Sequence, residues 1–428
     1  MTLMTRWHSR QFTSAKEGGC VMESGRELVA AARRRDAEAV TVLLEAGADP
    51  ETVAGDGLPV LCLAVAAYDA AVAGALVGGG ADPDRKLTDA TTPLLRAVDG
   101  GSRAVVKALL GDDPLRLPEA ERERLLALAR HWYERGAEEE LRDRTREFGP
   151  VHEENVEDGE YDEVAQLTLG GLTIRAGHGA VLTELETAFG VLTPVDKLVD
   201  RAVAHEDWDH VDWESAVAAL ALRRDTETFL AVIAYRHDPN PRRRQFVLSV
   251  FKSYRMHAYR NFWLRQGIPF GKETADVLVA WATDGKEEDP YVLAWVLSTL
   301  CGLKHPEREA VGLRHAGHPS PDVRVEVPDL VFDWGTWRPP LGAAKDALLV
   351  LASDEDPRVR RRAGATLIVG DDGSGEFTEA LVGLLRDPEF EVRKYMADGI
   401  KSYSSEARTP AVADALAALR DECDPADR

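Results

Sequence analysis

LLEAGADP at residues 43–50 and ALVGGGADP at residues 75–83 carry the same phrase, which sets Gly47 and Gly80 33 residues apart. In each, an apolar helical run gives way to Gly-Ala-Asp-Pro. Glycine tolerates the left-handed conformation that closes a helix, and a proline just beyond cannot continue one. A fixed period of this length marks a repeated unit that cannot bury its apolar face alone and must stack on neighbours. Working outward, the first unit begins near Glu27, with Leu28, Ala31 and Ala32 on one helix face and Val40, Leu43 and Leu44 on a second. The second begins at Pro59 and presents Leu63, Ala64 and Leu76. The third opens on Thr92-Pro93-Leu94-Leu95, followed by Ala97.

These units resemble the ankyrin repeat over residues 25–116, with Arg96 and a shortened turn departing from the family's helix-opening phrase. After Gly111-Asp112-Asp113-Pro114 the match fades. Residues 117–149, with Leu125, Leu126, Ala129, Gly136 and Leu141, read as a helical cap or degenerate fourth unit with a lengthened turn at His131 to Arg135. Residues 150–164 read as an acidic linker, because HEENVEDGEYDE (152–163) holds seven carboxylates and almost no apolar side chain. In QLTLGGLTIR, Leu167, Leu169, Leu172 and Ile174 alternate around Gly170-Gly171, the pattern of a two-residue β-hairpin. A lone hairpin is marginal, so residues 165–194 are expected to form a hairpin-helix adaptor with Val181, Leu182, Leu185 and Phe189 at helical spacing.

From Pro194 onward a second rhythm takes over. Asp289-Pro290-Tyr291-Val292, Ser320-Pro321-Asp322-Val323-Arg324, Asp356-Pro357-Arg358-Val359-Arg360 and Asp387-Pro388 with Val392-Arg393 place their valines 31, 36 and 33 residues apart. Proline suits a first helical turn and Asp or Ser before it accepts bonds from the free amides. HDPNPRRR at 237–244 is a looser member. The phrase resembles the one that opens the second helix of the HEAT repeat, over residues 195–428, with Pro328 expected to kink or shorten its helix. The chain is thus expected to be all-α with a small β-hairpin, built as two α-solenoids, N-terminal ankyrin repeats and C-terminal HEAT-like repeats.

Hydrophobic content of 44% with 29% charged residues is that of a globular chain, and no run reaches a membrane span's length. Residues 1–24 read as a disordered tail, with Met1 and Met22 both candidate starts. Cys20, Cys62, Cys301 and Cys423 form no CxxC pair, so a reducing cytoplasm is expected, and the Arg-, Ala- and Gly-rich usage suggests a bacterial source. A net charge of −22 repels polyanions and membranes.

Against that field, residues 239–272 contain no Asp or Glu, and basic residues there interleave with Phe246, Phe251, Tyr254, Tyr259, Phe262, Trp263 and Phe270. Such a mixture grips phosphates, stacked bases or acidic aromatic peptides. Helical spacing puts Val247, Val250, Phe251 and Tyr254 on a core stripe and Arg244, Leu248, Lys252, Arg255 and Tyr259 on another face. Arg244, Lys252, Arg255, Tyr259, Arg260 and Trp263 are therefore the expected partner-binding residues, for another protein or peptide of anionic character, with nucleic acid disfavoured except at this segment. The alternative for the same segment is a HEAT-like enzyme, DNA glycosylase-like or lyase-like. Arg324, Arg360 and Arg393 recur at equivalent places and are read as a structural ladder. His205, Asp207, Asp209 and His210 are metal-capable, yet they crowd one turn without the i, i+4 spacing of ligands on a helix, so no metal and no cofactor is expected. No catalytic motif is recognisable, and the function expected from the resemblance is that of a non-catalytic scaffold or adaptor.

Overall fold

The computed structural model describes residues 23–55, 57–160, 162–260, 269–335, 337–371, 373–403 and 409–423. The protein is mostly helical, with one three-stranded antiparallel sheet, and divides into two compact units, Met1–Arg223 and Arg224–Arg428. No helix among the described residues is long and apolar enough to cross a membrane.

In the first unit the 33-residue period is written into the backbone. Arg35, Tyr68 and Gly101 all take left-handed conformations (φ 58°, 54° and 75°). Each is followed by a capping side chain, Asp36, Asp69 or Ser102, that accepts from the amide three residues on: Ala39, Val72 or Val105. Such a cap satisfies one of the amides left free at a helix start, worth about 1 kcal/mol. Gly47 and Gly80 close the preceding helices at φ 93° and 101°. Ala37–Glu45 packs on Ala70–Gly78, which packs on Arg103–Leu110, while Val60–Ala66 packs on Pro93–Gly100 and that on Glu119–Arg135. The small buried faces anticipated from the sequence (Leu28, Ala31, Ala32, Ala64, Ala97) join Val181, Leu182, Leu185 and Phe189 in one continuous core. The expected turn at His131 to Arg135 is instead helical, within Glu119–Arg135, and the chain reverses at Gly136 alone (φ 88°).

The hairpin is present as β2 (Glu163–Leu169) and β3 (Leu172–Arg175), turning on Gly170 and Gly171 with φ 56° and 80°. It is not alone. The acidic stretch supplies β1 (His152–Glu157), paired antiparallel to β2 with His152 opposite Thr168. β1 is exposed on both faces except at half-buried Val156, so it leaves no apolar alternation in the sequence, and its carboxylates keep the open sheet edge from pairing further. Leu167, Leu169 and Ile174 cover Trp132 and Leu141. Asp158, just past β1, accepts from Arg175 at 2.6 Å and from Ser102 and is wholly enclosed.

In the second unit two rows of helices run side by side. Pro241–Arg260, Pro290–Cys301 and Pro321–Arg324 contact in succession, as do Pro357–Val369 and Phe390–Tyr403; in the other row Gly271–Thr283, Arg308–His315, Ala343–Leu351, Gly375–Leu385 and Pro410–Cys423 do the same. Asp289, Ser320 and Asp356 cap their helices with proline at the first turn, as the repeated phrase predicts. Pro328 has the expected effect: its helix parts into Pro321–Arg324 and Val327–Val331.

His178 makes the first unit acid-sensitive. Its ring is buried flat against Trp132 (centroids 4.5 Å apart, 3° between planes), with Nε2 3.3 Å from the Asp99 carbonyl, and burial pushes its pKa down to about 4. Below about pH 6.5 the unfolded chain takes a proton that the folded chain refuses until the pH nears 4, so this contribution is full above that window and lost as pH falls through it. Urea unfolding at pH 7 and at pH 4.5 is expected to show His178→Gln losing roughly 2 kcal/mol less on acidification than the unsubstituted protein.

Candidate functional site

Helix Pro241–Arg260 carries the cationic aromatic segment. Phe246, Val247, Val250, Phe251 and Tyr254 are buried, so the predicted core stripe is met, and Leu248 is buried with them. Trp263 lies outside the described residues, as do the side chains of Tyr259 and Arg260.

Arg244 is engaged within the fold. Its Nε and Nη2 each lie 3.0 Å from the two carboxylate oxygens of Glu287, and Nη1 donates to the carbonyls of Asp238 (2.8 Å) and Pro239 (3.3 Å). Arg324 does the same with Asp354 and the carbonyls of His318 and Pro319, and Arg360 with Asp387 and the carbonyls of Asp354 and Glu355. Arg393 bonds the carbonyls of Asp387 and Pro388. In every case the carbonyls belong to residues six and five positions earlier. The carboxylates are equally regular: Glu287, Asp354 and Asp387 each also accept the amide two residues on. Burial raises the Asp354 and Asp387 carboxyls, but the bonds from Arg324 and Arg360 and from those amides outweigh it and hold both below their ordinary value. The ladder anticipated for three arginines thus takes in Arg244 as well. One rung is missing: helix Pro290–Cys301 has buried Leu293 at the corresponding place.

Lys252 and Arg255 stand apart from the ladder. The Lys252 ammonium lies 3.9 Å from the centre of the Trp295 ring, a cation–π contact. Burial lowers its pKa, and the Glu326 carboxylate opposes that. Glu326 occupies the break that Pro328 imposes between two short helices. Its carboxyl is raised by burial, against the fields of Arg362 and Lys252 and a hydrogen bond from Ser298. Arg362 pairs with Asp329, and the Arg255 guanidinium packs on Gly302, where any Cβ would collide with it. Lys252, Glu326, Arg362 and Asp329 thus form a chain of alternating charge that begins on the Trp295 indole. Trp295, Glu326 and Arg362 are far from Lys252 in sequence and carry no motif; the proline break is the one local signal that points to Glu326. Further along the same row Arg361 lies over Tyr395, itself 43% exposed.

The turn at 205–210 in the first unit also differs from its sequence reading. Asp207 bonds the amide of Asp209, the Asp209 carbonyl accepts from the Glu163 amide at 2.9 Å, and neither carboxylate joins the two histidines. The partner they find is Asp212. His205 Nε2 lies 3.3 Å from Asp212 Oδ2, the His205 and His210 rings stack at 3.6 Å, and His210 Nδ1 accepts the Asp212 amide at 3.1 Å. Burial lowers the His210 pKa.

Removing one ladder arginine strands a carboxylate in the interior, which costs about 3–5 kcal/mol, whereas an exposed pair contributes about 1 kcal/mol or less. Arg324 and Asp354 are 8% and 9% exposed, against 53% and 44% for Arg358 and Asp322. Chemical denaturation of Arg324→Ala is accordingly expected to show a loss of about 3 kcal/mol, and that of Arg358→Ala a loss under about 1 kcal/mol.

Neither the protein-family models nor the curated proteins offer a match to this chain.

Proposed function

We propose that the chain is a non-catalytic protein-interaction scaffold of the cytoplasm, with ankyrin repeats in its first unit and HEAT-like repeats in its second, each stacked as an α-solenoid. The observation that carries this reading is periodicity of chemistry as well as of shape. Caps recur at Asp36, Asp69 and Ser102, and arginine rungs with carbonyl partners at the same two sequence offsets recur at Arg244, Arg324, Arg360 and Arg393. Stacks of this kind present long surfaces of side chains from successive units, and such surfaces bind macromolecules.

The partner is another protein or peptide bearing carboxylates. It docks on the row containing helices Pro241–Arg260, Pro290–Cys301 and Phe390–Tyr403, where Lys252 and Trp295 and then Arg361 and Tyr395 pair a cation with an aromatic ring. Tyr291 and Tyr403, 48% and 68% exposed, extend the aromatic supply. Tyr259, Arg260 and Trp263 continue the same segment in sequence. The acidic remainder of a −22 chain repels competing polyanions.

Affinity capture from the source organism with the intact protein and with Lys252→Glu/Arg255→Glu tests the reading. The double variant is expected to lose the captured protein at least about tenfold, with a weaker salt dependence, and to melt at a lower temperature because the new carboxylate at 252 faces Glu326, circular dichroism showing that it is folded at the temperature of capture. Unchanged capture by a folded variant would sink the assignment of this surface.

A further inference from the structure

We propose that His205, His210 and Asp212 form a binding site for one divalent transition cation of the zinc class, which goes beyond the scaffold reading and does not depend on it. One ligand atom from each of the three lies within 4.8 Å of the others. Two imidazoles and a carboxylate are a donor set that suits zinc and its neighbours in the first transition row.

The decisive group is Asp212. It is 2% exposed, and its Oδ1 has no hydrogen-bond partner. A buried carboxylate oxygen left bare is costly and calls for a cationic partner. Gly179 makes room for it: a Cβ there would collide with the Asp212 carboxylate, with Cγ and Oδ1 both at 2.8 Å. The 3.3 Å between His205 Nε2 and Asp212 Oδ2 is long for a charged hydrogen bond, whose range is about 2.7–2.9 Å. It matches the bite of a tetrahedral ion, because two ligands about 2.0–2.1 Å from the metal stand roughly 3.3–3.4 Å apart.

His210 completes the set by leaving its stack on His205. Parallel rings 3.6 Å apart cannot both aim their in-plane lone pairs at one ion, so the His210 ring turns and gives up its bond to the Asp212 amide. One cap bond is a small fraction of what coordination to a divalent cation supplies. The turn is otherwise held: the Glu163 amide on the Asp209 carbonyl and the bridge between Glu163 and His210 fasten it to β2. The entry path is a cleft of about 390 Å³ lined by both histidines together with Glu138, Glu153, Glu163, Glu206 and Asp207, and by no Lys or Arg. Five carboxylates at its walls concentrate cations at the mouth. With three protein ligands, one position is left facing that cleft.

Calorimetric titration of the tag-free, metal-stripped full chain with Zn²⁺ alone is expected to show one saturable site. His205→Ala, which alters a 41% exposed side chain, is expected to weaken that site at least about a hundredfold while leaving the circular dichroism unchanged. Co²⁺ in place of zinc should give the intense visible absorption of a low-coordinate ion in the unsubstituted protein and lose it in His205→Ala. Absence of saturable zinc binding to the unsubstituted chain, or undiminished binding by folded His205→Ala, overturns the proposal.

Discussion

Every helix end leaves backbone amides or carbonyls without partners inside the helix, and a chain made of short helices has many such ends. Both units of this protein meet that constraint with one polar side chain placed at a fixed phase of the sequence period. In the first unit the solution is donor-side: Asp36, Asp69 and Ser102 each accept an amide at a helix start. In the second it is acceptor-side as well, because each rung arginine reaches back to two turn carbonyls, and Arg244, Arg324 and Arg360 also reach forward to a carboxylate that is itself bound to an amide of the next turn. Without these groups the apolar faces would still attract, but the turns between them would be buried unsatisfied.

What was legible in the sequence follows from this. Glycine, proline and the capping residues act locally, so the turns at Gly47, Gly80, Pro290, Pro321 and Pro357 and the break at Pro328 could be placed by reading alone, as could the apolar helix faces and the hairpin around Gly170-Gly171. β1 could not, because a strand wetted on both faces has no apolar alternation to detect. Nor could the helical character of His131 to Arg135, where tertiary contacts carry the helix through a charged run: Trp132 packs on His178 and donates to Asp99.

The side-chain clusters were the least legible. Arg244, Lys252 and Arg255 stand on one helix and look alike in sequence, yet Arg244 is bound in a rung, Lys252 leans on an indole and Arg255 lies on a glycine. What separates them is helix Pro290–Cys301 with the turns at its two ends, which contribute Trp295, Glu287 and Gly302 from positions that no local pattern connects to the segment. Asp212 stands outside the metal-capable set read from the turn for a similar reason: its approach to His205 depends on the fastening of the turn to β2 and on the missing side chain of Gly179.

The gap in the arginine ladder gives the second unit an uneven elasticity. Charged rungs are directional and short, and resist sliding of one turn past the next; apolar contact at Leu293 is non-directional and yields to shear at small cost. Strain applied anywhere along the second unit therefore concentrates where Leu293 takes the arginine's place, beside the helix that carries Trp295.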